Sequence, residues 1–342
     1  MINSGNTTIN EIYYQNHLIR KIYSCGGELV YEYETPPIPP TPQDYSSQYF
    51  TIDVISGNSI GWYSNDNIAL DYSLDSGNTW TSISNSTISV QQGDKVLFKG
   101  NNSTTTSIGI GTFTSTSTTF NVYGNVMSLL YGDNFIGQTN LSYNIFRSLL
   151  SGSSVVSAEN LVLPSTTLTY GCYSSMFQNC SSLTVAPQLP ATTMGDYCYY
   201  NMFERCTSLQ TPPQLSATSL ALNCYNGMFS SCSSLQSAPQ LPATELVDSC
   251  YYSMFSLCTS LTETPQLSAL TLAKSCYGRM FYGCSSLNTV TCLATNINAM
   301  NCVDDWLYGV SSSGTFYKNV IMSNWQRGQD GIPNNWTIRN YY

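Results

Sequence analysis

Cysteine recurs along the second half of this chain with a strict period. Cys172, Cys198, Cys224, Cys250, Cys276 and Cys302 stand 26 residues apart, and Cys180, Cys206, Cys232, Cys258 and Cys284 repeat the step eight residues later. Met176, Met202, Met228, Met254 and Met280 hold the same register, each followed by a phenylalanine. The unit reads Cys-Tyr-x-x-Met-Phe-x-x-Cys-(Ser/Thr)-Ser-Leu, then Pro-Gln-Leu-(Pro/Ser)-Ala. A period of this length predicts one supersecondary unit stacked on copies of itself, because a single unit cannot bury its own apolar face.

Within a unit, Leu168, Cys172, Met176, Phe177 and Cys180 fall at i, i+4, i+8, i+9 and i+12. That spacing predicts a short α-helix with one apolar stripe. Thr166, Thr192, Thr218 and Thr244 stand where an N-cap hydroxyl would be needed. The prolines that follow, such as Pro187 and Pro190, predict a short extended run. Each unit is therefore expected to alternate a helix with a short strand. At the leading end Phe146 and Leu150 take the first-cysteine and methionine positions; downstream Trp306, Leu307 and Val310 replace methionine, phenylalanine and the second cysteine. These ends read as caps.

Thirteen cysteines raise the question of crosslinks or metal. Two cysteines eight residues apart on a helix would be separated by ~12 Å along the axis, beyond the roughly 7 Å that a disulfide spans between Cα atoms. Helices of neighbouring units at ~8–10 Å would put bridges between units out of reach as well. One histidine and no Cys-x-x-Cys pair leave no zinc set, so no metal is expected. The cysteines read as buried free thiols, which implies folding in a reducing compartment.

Charge excludes several partner classes. With 20 acidic and 11 basic side chains the formal charge is −9, which offers no basic footprint for nucleic acid or anionic lipid. No apolar run approaches the ~18 residues of a membrane span, so no membrane insertion is expected. The first residues have neither a basic stretch nor an apolar core, and no signal peptide is expected.

The first half of the chain is organised differently. Residues 9–14, 18–23 and 29–34 read as three short strands, too small a unit to fold alone. Thr35-Pro-Pro-Ile-Pro-Pro-Thr-Pro42 reads as a stiff spacer. From Tyr49 to about Val126, alternating runs separated by turn residues suggest a β-sandwich. Inside it, Ser73-Leu-Asp75-Ser-Gly77-Asn-Thr-Trp80 matches the Asp-box pattern, a hairpin in which Asp75 bonds the turn backbone, Gly77 takes positive φ and Trp80 packs beneath. A single copy points to a structural hairpin.

No catalytic set emerges. His17 is the only histidine and lies in an expected turn; no phosphate-binding Gly-x-x-x-x-Gly-Lys loop occurs. Asp304 with Asp305, or Glu245 with Asp248, are the carboxylate pairs nearest to a glycosidase arrangement. Adjacent acids are more commonly solvated or capping groups, so the chain reads as non-enzymatic, without a cofactor. Tyr173, Tyr199, Tyr225, Tyr251 and Tyr277 recur with the core and are expected to cement the stack rather than to form a ligand platform. Positions two, three, six and seven after the first cysteine vary instead, which nominates Tyr200, Asn201, Glu204, Arg205, Tyr252, Arg279 and Tyr282 as a recognition surface.

The array, at Cys-Tyr-x-x-Met-Phe-x-x-Cys-(Ser/Thr)-Ser-Leu followed by Pro-Gln-Leu-Pro-Ala-Thr, resembles BspA-type leucine-rich repeats in the Cys-Tyr-rich form of gut Bacteroidetes surface proteins and their phages. Gly93 to Asn102 and Phe120 to Asp133 look like the β domain that travels with such repeats, and Gly314 to Lys318 and Gly331 to Trp336 like their usual ending. The strands ending Leu29-Val-Tyr-Glu32 look like the attachment segments that begin many phage tail and fibre proteins. The resemblance implies adhesion rather than catalysis. The expected architecture is multidomain, β plus α/β: an N-terminal β attachment segment (1–34), a Pro-rich linker (35–44), a β-sandwich-like domain (45–127), a leucine-rich-repeat solenoid with degenerate end units (128–310) and a C-terminal cap (311–342). The expected function is a non-catalytic, tail-associated phage virion adhesin made in the bacterial host cytoplasm. Its expected partners are other virion proteins at the N-terminal segment and a host-surface glycan or protein at the repeats, with homo-oligomer assembly compatible. A bacterial surface adhesin is the alternative, and a glycosidase with an unlocated carboxylate pair a more distant one.

Overall fold

The computed structural model describes residues 2–4, 7–9, 21–23, 29–32, 43–103, 109–115, 117–323 and 325–342. His17, Cys25 and the proline spacer at 35–42 lie outside the described residues. The chain divides into two compact units, Met1–Asp44 and Tyr45–Tyr342. The first holds two antiparallel pairs: β1 (Ile2–Ser4) with β2 (Thr7–Ile9), and β3 (Lys21–Tyr23) with β4 (Leu29–Glu32).

The second unit opens with β5 (Phe50–Ser56), β6 (Ser59–Tyr63), β7 (Leu70–Ser73), β8 (Thr81–Ile83), β9 (Ser86–Ser89), β10 (Lys95–Lys99), β11 (Thr112–Thr114) and β12 (Thr119–Asn125). Alternating burial along β5, β10 and β12 sends every second side chain inward, as a half-buried strand requires. One sheet runs β12-β5-β10-β7-β8, the other β11-β6-β9. Phe113 of the second sheet stacks on Phe50 at 5.2 Å and meets Phe98 edge-on at 4.8 Å, both in the first, so the two sheets share one aromatic core. A four-residue helix, α1 (Ser128–Tyr131), and a single 3-10 turn at Gly132–Asn134 follow; they are the helical elements among the described residues. Then β13 (Val155–Val162) joins the larger sheet, parallel to β12. The sandwich and the repeats are thereby sewn together by a ladder and share one hydrophobic core.

The repeat region is not helical, which overturns the expected α component and the threonine N-caps. From Gly171 to Cys180 the backbone curls in successive turns. Even members of the unit donate to the residue three back (Ser174 N–H to Gly171, Met176 to Tyr173, Gln178 to Ser175) at 3.0–3.2 Å. Odd members donate across to the next unit (Tyr173 N–H to Cys198 O, Ser175 to Tyr200, Phe177 to Met202, Asn179 to Glu204) at 2.8–3.0 Å. Every fourth residue is left-handed: Gly171, Ser175 and Asn179 have φ of 59°, 56° and 61°, and the equivalent three positions of each later unit through Gly309 do the same. Their four-residue spacing leaves the apolar pairs Cys-Tyr and Met-Phe on one side, and an apolar pair every four residues reads in sequence as a 3.6-residue stripe. Thr167, Thr193 and Ser219 form parallel bridges from unit to unit beside the expected caps.

The extended part of each unit makes only isolated bridges while Pro187, Pro213, Pro239 and Pro265 occupy it. Thr291 takes that place in the next unit, and there regular parallel strands appear: β14 (Thr289–Cys292), β15 (Thr315–Asn319) and β16 (Thr337–Tyr341). From here on no proline stands at this place, Tyr317 and Arg339 being the residues in register with Thr291, so the strands are free to pair, while the Thr291 N–H itself donates to the Thr264 hydroxyl at 3.3 Å. At the leading end Phe146 N–H bonds Cys172 O and Leu150 N–H bonds Met176 O, the bonds that Tyr173 and Phe177 make one unit later. Phe146 thus occupies the tyrosine place and Leu150 the phenylalanine place, one residue off the expected alignment, because this unit is 27 residues from the next. Among the described residues no helix is long and apolar enough to cross a membrane.

Candidate recognition surface

The constant residues of the units face inward. Tyr173, Tyr199, Tyr225, Tyr251 and Tyr277 are 0–2% exposed and stack in a column at 5.7–6.2 Å, begun by Phe146 and closed by Trp306 and Trp325. Phe177, Phe203, Phe229, Phe255 and Phe281 form a second column at 5.5–5.7 Å. With their faces covered, these rings cannot receive a ligand.

The cysteines complete the same core. All twelve described cysteines are free and buried. The distances assumed for packed helices do not apply, since consecutive units are hydrogen-bonded directly. Cys206, Cys232, Cys258 and Cys284 donate their thiols to the carbonyls of Phe177, Phe203, Phe229 and Phe255 at 3.0–3.1 Å, and Cys180 to Leu150 at 3.0 Å. Each is therefore a hydrogen-bond donor between units as well as an apolar filler. Burial pushes the thiols of Cys172, Cys180, Cys224, Cys232 and Cys284 up to about 12.

The nominated residues lie on the outward side of the turns, in two groups. Tyr200 packs against Tyr197 at 5.7 Å, which continues through Tyr170 to Tyr143 at 5.4 and 6.4 Å. Beside this group Glu204 accepts a bond from Gln178 and lies 3.9 Å from Arg205. In the second group Arg279 donates to Asp305 at 3.2 Å and sits 5.5 Å above the Tyr282 ring, which stacks on Tyr308 at 5.4 Å. Tyr252 lies over Gly278, where a Cβ would come within 2.9 Å of the ring. Between the groups runs the unit carrying Asn226, Gly227, Ser230 and Ser231, all small and polar.

Backbone geometry divides them further. Asn201, Arg205 and Arg279 occupy left-handed positions at φ of 53°, 59° and 53°. Those places are constrained by conformation, so free variation belongs to Tyr200, Glu204, Tyr252 and Tyr282. Tyr143, Tyr170 and Tyr308 were not legible as surface aromatics, because they fall outside the strict register or in a degenerate end unit.

The acids considered for hydrolysis are occupied or separate. Asp305 is buried and held by Arg279 and by Gln329 at 2.6 Å, while Glu245 and Asp248 are exposed. In the Asp-box hairpin between β7 and β8, Asp75 accepts from the Thr79 N–H at 2.8 Å and from the hydroxyls of Thr79 and Ser73, both at 2.7 Å. The Thr79 N–H, then the two hydroxyls, hold its carboxyl down at about 2. Gly77 has φ of 90°. Trp80 packs edge-on against Tyr49 at 5.1 Å, under Lys99, whose ammonium pairs with Asp133 at 2.8 Å. No protein-family model, curated protein or solved structure matches the chain.

Proposed function

We propose that this repeat protein is a non-catalytic adhesin of a phage virion, tail-associated, in which BspA-type leucine-rich repeats build a solenoid that offers its outward turns to a host-surface glycan or protein. The observation that carries the reading is the separation of constant from variable residues. In the five regular units the second place after the first cysteine runs Ser174, Tyr200, Asn226, Tyr252 and Gly278, while the inward first and fourth places keep Tyr and Met. Substitution on the outward side leaves both ring columns intact, so contact chemistry changes there without cost to the core. Twelve buried, unbridged thiols suit assembly in a reducing host cytoplasm. The separate Met1–Asp44 unit suits attachment to a particle.

Binding of labelled protein to a panel of gut Bacteroidetes cells tests the recognition half. Changing Tyr200, Glu204, Tyr252 and Tyr282 together to serine is expected to abolish cell binding at an unchanged melting temperature; equal binding by this variant sinks the reading. Mass spectrometry of purified phage particles tests location, and recovery from bacterial envelopes alone favours a cell-surface adhesin instead.

A further inference from the structure

Where the sandwich meets the leading repeat unit, a cavity of about 760 Å³ opens among Tyr63, Asn65, Thr112, Arg147 and Ser148. The size is that of a small-molecule site, roughly 300–1,000 Å³. Its walls are built by close approach. A Cβ on Gly111 would lie 2.6 Å from the Tyr63 carbonyl, and one on Gly109 would lie 2.9 Å from the Asn144 carbonyl. The segment that carries them bonds the leading unit, Ile110 N–H to Ile145 O at 3.1 Å and, just beyond, Phe113 N–H to Leu149 O at 2.8 Å. On the far wall Asn85 accepts the Ser64 N–H at 2.7 Å and donates to Asn67 at 2.6 Å, which pins that loop.

Among the described residues the lining is hydroxyl, amide, one ring and one cation, with no carboxylate. Tyr63 is 45% exposed, so its ring offers a free face. Arg147 has no ion-pair or side-chain hydrogen-bond partner among the described residues, in a chain of formal charge −9. A lone guanidinium facing a polar cavity is matched by a carboxylate, which it binds with two parallel hydrogen bonds. Hydroxyl and amide neighbours beside an amphipathic ring suit a sugar. Arg147 also stands in the row of outward residues: Ser148 N–H bonds Ser174 O as Ser175 N–H bonds Tyr200 O and Gly227 N–H bonds Tyr252 O. It is thus the leading unit's counterpart of Tyr200 and Tyr252.

We propose that this cavity binds the acidic sugar unit of a glycan, Arg147 taking its carboxylate and Tyr63, Asn65, Thr112 and Ser148 its ring and hydroxyls. The proposal deepens the adhesin reading and rests on it for the biological source of the glycan, but not for the binding itself. Calorimetry on the full chain with trigalacturonate, N-acetylneuraminate, methyl-esterified trigalacturonate and inorganic phosphate tests it. At least one of the two sugar acids is expected to bind, the ester at least about tenfold more weakly, and affinity for the acid is expected to fall with added salt. Arg147→Gln and, separately, Asn65→Ala are each expected to weaken the acid by about tenfold or more at unchanged melting temperature, with Arg147→Lys retaining part of the affinity. The proposal is overturned if neither sugar acid binds better than the ester, if Arg147→Gln binds as the parent does, or if phosphate binds more tightly than both sugar acids. Loss of sugar-acid binding in Arg147→Gln with cell binding untouched by it and by the fourfold turn variant would uphold the cavity and refute the adhesin reading; the reverse pattern refutes the cavity alone.

Discussion

At the scale of single residues, the unusual content of this core is its ionisable groups. Burial raises every described thiol and the five column tyrosines, so the folded chain holds thiol protons that the unfolded chain releases above about pH 8.5 and tyrosine protons that it releases near pH ~10. The thiol stabilisation is complete below about pH 8.5 and is lost as pH rises through the raised folded-state values, about 12 for Cys232 and Cys284. Each thiol contributes a slope of up to about 1.4 kcal/mol per pH unit, and a domain stability of about 5–15 kcal/mol is exhausted quickly when many act together. The denaturant midpoint is expected to stay level from about pH 6 to 8 and to drop steeply above pH ~9; a midpoint unchanged at pH ~10.5 contradicts this. The same thiols hold almost no thiolate at neutral pH. Ellman's reagent is accordingly expected to leave the twelve described cysteines unmodified in the native protein and to titrate all 13 after denaturation without reductant. A second residue-scale expectation concerns the tyrosine column: the Tyr199 and Tyr225 hydroxyls are buried without a hydrogen-bond partner among the described residues. An unpaired buried hydroxyl costs about 1–3 kcal/mol, so Tyr225→Phe is expected to raise the unfolding free energy, and a loss above 1 kcal/mol would show that the hydroxyl is satisfied.

At the scale of the element, the unit is a chain of turns whose three left-handed places set its composition. In the seven units from Asn144 to Gly309, those places are Gly, Asn, Ser or Asp except at Tyr197, Arg205, Leu257 and Arg279. Left-handed backbone costs a residue with a Cβ about 1–2 kcal/mol, and least where a short polar side chain bonds locally. Leu257, at φ of 61°, is the worst fit of the set, and its side chain leans over Gly283. Leu257→Gly is expected to stabilise by about 1 kcal/mol. Gly227→Val, at φ of 64° with the Asn201 amide lying where its Cβ would go, is expected to destabilise by about 1–3 kcal/mol. Urea unfolding of the pair measures both; equal effects of one sign would mean that the turns do not depend on handedness.

At the scale of the whole molecule, continuity decides which pieces can exist alone. β12 bonds β5 on one side and β13 on the other, so the sandwich supplies the first rung for the repeats. At the opposite end Trp306 donates to Gly331 at 3.0 Å and Trp336 to Ser311 at 2.8 Å, which closes the core beneath Trp325. Removing residues 1–44 is expected to leave the melting temperature of the remainder unchanged, because that segment is a separate unit. Expressing 128–342 without 45–127 is expected to give an aggregating or unfolded product, since β13 would present a bare edge and Val155, Ala158 and Leu161 would lose their cover. A monomeric, cooperatively melting 128–342 fragment would refute this.

From the residues alone came the period, the identity of the buried places and the role of the tyrosines in cementing the stack, all set by hydrophobicity repeating in register; the free thiols were inferred from helix spacings that this backbone does not have, and it is the folded array that leaves them unbridged. The alternating runs of the sandwich were equally readable, because strand patterning is local. The conformation of the unit was not. A helix satisfies each N–H four residues back within its own segment, whereas here every second N–H between Gly171 and Cys180 finds its acceptor in the next unit. Only a neighbour already in place can supply those carbonyls, so the choice between helix and left-handed turns is made by the assembled array. The one-residue shift of the leading unit, the joining of β12 to β13 and the cavity at Arg147 depend likewise on partners far apart in the chain, and contacts of that range are decided by tertiary packing.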